Sequence, residues 1–154
     1  MPRTLIVVPC GQCKIWDRRP AHGPAPARDA YTGAPFQLNR RYAERFGDAW
    51  VILSARYGFI PPDFMIPGPY DVTFKWPRTR PIDLPALQRQ IKTLHLDRFD
   101  RVIVLGGAAY RRLTCQAFAG YPVTLSAPTA GLPVGKAMRA LKQAITAGVP
   151  LPDA

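Results

Sequence analysis

Four short apolar runs, each broken off by a small polar or glycine-bearing turn, constrain this chain more than anything else in it. Residues 4–8 stop at Pro9-Cys10-Gly11-Gln12-Cys13-Lys14, and residues 49–55 run into Arg56-Tyr57-Gly58. Residues 100–107 end in Gly106-Gly107, and residues 121–126 lead into Ala127-Pro128-Thr129. The first three are apolar at successive positions, not at every second one. Such runs suit strands covered on both faces, and those strands lie in parallel sheets with helices on either side.

The segments between the runs supply the helices. Residues 35–46 place Phe36, Leu38, Tyr42, Ala43 and Phe46 at helical spacing behind Pro35, and Gly47 closes the pattern. Asp83 caps residues 84–94, whose Leu84, Leu87, Ile91 and Leu94 form one stripe. A helix opens directly from Gly107 over 108–113, and the last runs from about 136 to 146. Residues 15–28 and 61–81 are proline-rich and read as two long irregular loops, and the tail 148–154 as a frayed end. The pattern predicts an α/β fold in one domain spanning 1–154. It is a three-layer sandwich with a mostly parallel four-stranded central sheet. The polar loops follow the strands, so a site is expected at the C-terminal edge of the sheet.

Charge narrows the partners. Twenty-one Lys and Arg against ten acids give a net charge of +11 in 154 residues. A small domain this basic favours a polyanion through counterion release, and DNA, duplex or single-stranded, is the expected partner. Residues 70–80 interleave Tyr70, Phe74, Lys75, Trp76, Arg78 and Arg80, a mixture that stacks bases and holds phosphates or pins a long loop to a core. No apolar run reaches the roughly 18 residues of a membrane span, and none near the start suits a secretion signal. A cytoplasmic monomer is expected. Three cysteines, two of them in one short turn, argue against a disulfide framework.

Cys10-x-x-Cys13 admits a redox dithiol, half of a zinc site, or a tight turn that needs small side chains around a ligand; the last is favoured. No metal or cofactor is expected. His22 and His95 lie in a proline-rich loop and near a helix end, which suits neither for nucleophilic catalysis. Acids are scarce, so a general base must be one of few groups: Asp71 first, then Asp29, then Asp17. The Gly106-Gly107 turn into a helix N-terminus presents free backbone N–H groups to an anion.

Together, Pro9-Cys10-Gly11-Gln12-Cys13-Lys14, Asp29-Ala30-Tyr31-Thr32-Gly33, Leu53-Ser54-Ala55-Arg56-Tyr57-Gly58, Pro69-Tyr70-Asp71 and Leu105-Gly106-Gly107 with Tyr110 resemble a bacterial and phage family related to the YaaA peroxide-stress proteins. The likeness covers about residues 5–112. More distantly, the chain is similar to the uracil-DNA glycosylase superfamily. Gly11-Gln12 stands for that superfamily's water-activating loop, Leu105-Gly106 for its middle strand end, Pro128-Thr129 for its Pro-Ser, and Leu132 for its wedge. Cys13-Lys14 replaces the expected Asp-Pro-Tyr, and Ala127 the expected histidine. The resemblance implies a DNA glycosylase for uracil-like or modified bases, with a glycosylase-like fold. Asp71 and Gln12 are its expected catalytic pair. Cys10, Gly11, Lys14, Asp29, Tyr31, Arg56, Tyr57, Tyr70, Gly106, Gly107, Tyr110, Thr129, Leu132 and Lys136 are its expected binding residues. DNA binding without catalysis, and a nucleoside deoxyribosyltransferase-like activity, are the alternatives.

Overall fold

The computed structural model describes residues 2–153. In chain order the elements are β1 (Thr4–Pro9), α1 (Ile15–Arg18), β2 (Ala25–Pro26), α2 (Ala27–Ala30), α3 (Ala34–Phe46), β3 (Ala49–Ser54), β4 (Gly58–Ile60) and β5 (Met65–Ile66). There follow α4 (Leu84–Thr93), β6 (Arg101–Val104), α5 (Ala108–Ala117), β7 (Thr124–Ser126) and α6 (Val134–Ala147), with short 3-10 turns at Pro77–Thr79 and Leu96–Arg98. The central sheet runs β4-β3-β1-β6-β7, parallel except for β4.

β1 lies in the middle, paired to β3 on one side and β6 on the other, with Val7 opposite Val51 and Val104. Its alternate side chains serve two cores. Ile6 and Val8 pack with Tyr42 and Ala43 of α3 and Leu141 and Ala144 of α6. Leu5 and Val7 pack with Leu87 and Ile91 of α4 and Ala117 of α5. All four β1 side chains are fully buried, which is why the run is apolar at every position. Each contributes about 1.5–3 kcal/mol relative to exposure.

This topology creates a crevice. α3, which follows β1, covers one face; α5, which follows β6, covers the other together with α4. The chain therefore leaves β1 and β6, which are neighbours, toward opposite faces, and their C-terminal ends part at a topological switch point.

The sheet has five strands, not the four the apolar runs predict. Gly58, at φ 76°, reverses the chain just after β3, and β4 lies back antiparallel with Leu53 opposite Phe59. A three-residue return strand leaves too short a pattern to read. Its outer edge is occupied by a side chain: Gln90 Oε1 accepts from Phe59 N–H at 2.8 Å, and Gln90 Nε2 donates to the Tyr57 carbonyl at 2.8 Å. A Cβ on Gly58 would collide with that carboxamide.

The two proline-rich connections are also more ordered than expected. Residues 15–28 hold α1, which ends before Pro20, while Pro26 sits at the start of α2, where a missing N–H costs nothing. β2 pairs with β5 from the other connection, and the N–H groups of Ala27 and Arg28 donate to the carbonyls of Phe64 and Pro62 at 2.8 and 2.9 Å. The two stretches thus brace each other. The C-terminal tail is anchored rather than frayed. Leu151 N–H donates to Tyr42 Oη at 3.0 Å, and Asp153 accepts from Ser126 and pairs with Arg101.

Four aspartates hold backbone rather than arginine. Asp100, Asp48, Asp17 and Asp83 accept N–H bonds from Arg3, Thr4, Lys14 and Ala86 at 2.7–2.9 Å. Aspartate's short side chain suits these backbone-capping positions, which hold four of the nine Asp. Among the described residues the ion pairs involve only Arg28, Arg40 and Arg101 on the basic side, so most of the positive charge is unpaired. No helix of the described residues is long and apolar enough to cross a membrane.

Candidate functional site

The loops after β1 and β6 leave the sheet side by side. The ladder persists one residue beyond each strand: Cys10 N–H donates to Leu53 O at 3.1 Å, and Leu105 N–H to Val7 O at 3.0 Å. Gly106 then turns at φ 103°, and a Cβ there would lie 2.5 Å from Pro9 Cγ. Only glycine lets the two loops approach so closely. Gly107 begins α5 without a side-chain cap, and the N–H groups of Ala108, Ala109 and Tyr110 find no acceptor among the described residues.

Cys10 Sγ meets Tyr110 Oη at 3.4 Å across this junction. The contact forms a wall between two cavities, since both residues line each of them. The first, about 300 Å³, is polar and is lined by Gln12, Lys14, Tyr70, Asp71 and Trp76. The second, about 340 Å³, is bounded by Gly106, Gly107 and Arg111 at the start of α5, and by Asn39, Thr129 and Met138. They are called here the Asp71 cavity and the α5 cavity.

A tyrosine cluster supports the Asp71 cavity from below. Ser54, the last residue of β3, accepts from the N–H groups of Arg56 and Tyr57 at 3.2 and 3.1 Å. With both lone pairs engaged, its hydroxyl donates to Tyr70 Oη at 3.0 Å. Tyr70 in turn bonds the fully buried Tyr31 hydroxyl. Burial is the main cause that pushes Tyr70 up to about 12 and Tyr31 higher still. Burial, and then the nearby Cys10, raises Tyr110 as well. The phenols are therefore neutral at physiological pH and serve as hydrogen-bonding posts, not bases.

The cations are placed by these posts. Lys14 Nζ lies 4.6 Å above the Tyr70 ring and 3.3 Å from the Gln12 carbonyl. Trp76, 48% exposed, stands at the cavity rim with the Arg78 and Lys75 charges 5.2 and 5.8 Å from its ring. The interleaved stretch thus divides its labour. Tyr70 and Phe74 pin it to the core, Phe74 edge-on to Tyr110 at 5.5 Å, while Trp76 is left outside.

Asp71, like Asp63 and Asp97, is exposed and has no hydrogen-bond or ion-pair partner among the described residues, but unlike them it lines one of these two cavities. Asp29 instead pairs with Arg40 at 3.3 Å and Arg28 at 3.9 Å, and Asp17 caps the Lys14 backbone.

Cys10, Gly11, Gln12, Lys14, Tyr70, Asp71 and Tyr110 therefore come together in the Asp71 cavity, and Gly106, Gly107, Thr129 and Leu132 in the α5 cavity. Asp29, Arg56, Tyr57 and Lys136 line neither, and Tyr31 lies beneath, bonded to Tyr70. Arg56 packs its guanidinium against Tyr57, whose ring lies against Phe64 and Tyr70. Cys10 and Cys13 diverge, since Cys13 is exposed beside Gly33.

Three contributors went unread in the sequence: Ser54, Arg111 and Asn39. Asn39 had a signal. It interrupts the inward stripe Phe36–Ala43 with a polar side chain at a core position, and it is 7% exposed.

A family model described as "Family of unknown function (DUF6884)" matches residues 6–143. The chain is 37% identical over 144 residues to the "Uncharacterized protein YfjM" of Bacillus subtilis (strain 168), covering 93% of this chain and 95% of that protein. No solved structure matches it.

Proposed function

The chain belongs to DUF6884, a family of unknown function, and for it we propose hydrolysis of the N-glycosidic bond of uracil-like or modified bases in DNA. A single observation carries the reading. Asp71, without a hydrogen-bond or ion-pair partner among the described residues and lining a cavity, shares that cavity with the Gln12 amide, the Lys14 ammonium and the exposed Trp76.

The chemistry asks for little more. Water adds to the anomeric carbon as the carbon–nitrogen bond breaks, and the bonding electrons leave with the base. Asp71 takes the water proton and its charge stabilises the oxocarbenium-like sugar. Gln12 donates to the departing base, Lys14 holds a flanking phosphate, and Trp76 stacks a neighbouring base. Kinship to the YaaA proteins, and more distantly to uracil-DNA glycosylases with their fold, belongs to the same proposal. Gly11-Gln12, Leu105-Gly106 and Pro128-Thr129 follow β1, β6 and β7 in the order that likeness implies, and Leu132 is exposed as a wedge would be.

The test is base release from a panel of uracil-, hydroxymethyluracil- and otherwise modified DNAs. Release by the native protein and its loss in Asp71→Asn support the reading; no release from any member of the panel sinks it. The unpaired positive charge favours a second reading, DNA binding without catalysis. Salt-sensitive DNA binding that survives Asp71→Asn and Gln12→Ala, with no base released, would establish it instead.

A further inference from the structure

The reaction above draws its catalytic groups from the Asp71 cavity and meets the α5 cavity only at Gly106, Thr129 and Leu132, yet the α5 cavity is equipped for a ligand of its own. Asn39 and Thr129 line it, are 7% and 5% exposed, and have side-chain polar groups without a hydrogen-bond partner among the described residues. Among the described residues the fully buried side-chain polar atom without a partner is Thr114 Oγ1, so the polar atoms of Asn39 and Thr129 open into the cavity, where water or a ligand can bond them. In the same cavity, the uncapped N-terminus of α5 presents free N–H groups, and Arg111 lies beside it with Nη1 donating to Gly106 O at 3.2 Å. These groups all favour negative charge. Pro9, Met138 and Leu141 supply apolar wall to the same cavity.

We propose that the α5 cavity is a second binding site for a nucleoside monophosphate. Its phosphate sits on the α5 N-terminus and Arg111. Its heterocycle lies along the apolar wall with an amide-like edge toward Asn39 and Thr129. The volume of about 340 Å³ is at the lower end of small-molecule sites, which suits a mononucleotide and not a dinucleotide. Cys10 and Tyr110 separate this ligand from the Asp71 cavity. The choice of nucleotide rests on the nucleic-acid reading above, while the anion end rests on the cavity alone.

Titration of the full chain with dUMP, deoxyuridine and inorganic phosphate tests it. dUMP is expected to bind, with deoxyuridine and phosphate each weaker by about tenfold or more. Asn39→Asp places a negative charge in the pocket, and Arg111→Gln removes a positive one; each is expected to weaken dUMP by about tenfold, with Arg111→Lys restoring most of it. Thermal melting identifies a variant that fails to fold, and either remaining variant then decides. Equal dUMP binding by the native protein and both folded variants overturns the site, as does deoxyuridine binding as tightly as dUMP. No dUMP binding at millimolar concentration overturns it too. A 5′-phosphorylated oligonucleotide that competes with dUMP, where its unphosphorylated twin does not, assigns the site to DNA ends; failure of both to compete assigns it to free nucleotide. Base release is not read in this titration. A protein that binds dUMP and releases no base upholds the site and sinks the reaction.

Discussion

The thiol of Cys10 and the phenol of Tyr110, 100 positions apart in the chain, meet at 3.4 Å and divide the C-terminal edge of the sheet into two cavities. Cys10 is half-buried, whereas Cys13 and Cys115 are exposed. Alkylation followed by peptide mass spectrometry is expected to label Cys13 and Cys115 first. A ligand in either cavity should slow Cys10 and leave Cys115 unchanged. Labelling of Cys10 as fast as Cys115 would mean that no such wall exists.

The Tyr31–Tyr70–Ser54 chain is expected to be asymmetric toward mutation. Tyr70→Phe strands the fully buried Tyr31 hydroxyl and the Ser54 hydrogen, costing about 1–3 kcal/mol. Tyr31→Phe leaves Tyr70 bonded to Ser54 and should cost less, about 1 kcal/mol. The double variant should be no less stable than Tyr70→Phe alone. Denaturant unfolding of the three variants decides; equal and additive losses would show the hydroxyls to be independent.

The same cluster sets an alkaline limit. Burial raises Tyr70 from 10.0 to about 12, so its contribution to stability is complete below pH 10 and is lost as pH rises from 10 through 12. Melting temperature should therefore fall across that window, with Tyr31 and Tyr110, also raised by burial, adding to the fall, and Tyr70→Phe should fall less steeply. Identical alkaline profiles for the two proteins would contradict the assignment.

The adjacent glycines at the site should answer differently to alanine. Gly106→Ala meets both the positive φ of 103° and the Pro9 ring, and is expected to cost about 2–4 kcal/mol. Gly107 has an ordinary φ of −78° and open space where its Cβ would stand. Gly107→Ala should stay within about 0.5–2 kcal/mol, the range for helix N-cap changes. Thermal unfolding of the pair tests whether the close approach of the β1 and β6 loops is as rigid as described.

Trp76 offers a reporter for the nucleic-acid partner. Its fluorescence should be quenched by single-stranded DNA, with affinity falling steeply as salt rises. Trp76→Ala should cost about 1–3 kcal/mol of binding. Salt-independent association, or none, would remove DNA as the partner.

The parallel sheet and its helices were legible because burial on both faces leaves an unbroken apolar signature. The runs around Leu5–Val8 and Val102–Leu105 could hardly be anything else. β4 was not, because three residues fix no period and its reversal hangs on Gly58 alone. The long connections hid their order for another reason: β2 and β5 make sense only in pairs, and neither half carries the pattern. At the site, Asp71 was readable by elimination among few acids. Its rivals are removed by the tertiary structure, where Asp17 caps backbone and Asp29 holds arginine. Asn39 carried a signal, a polar break in an apolar stripe, but only the structure shows the cavity it lines.

The Gln90 carboxamide on the rim of β4 has a consequence for how copies of this protein meet. An exposed strand edge is a template for an incoming strand from another molecule. Here the outward N–H of Phe59 and the carbonyl at Tyr57 are already engaged by an amide that mimics the next strand while belonging to a helix. The side chain acts as a terminator, and this edge of the sheet is closed to strand-by-strand polymerisation without a bulge, a charge or a proline placed in the strand itself.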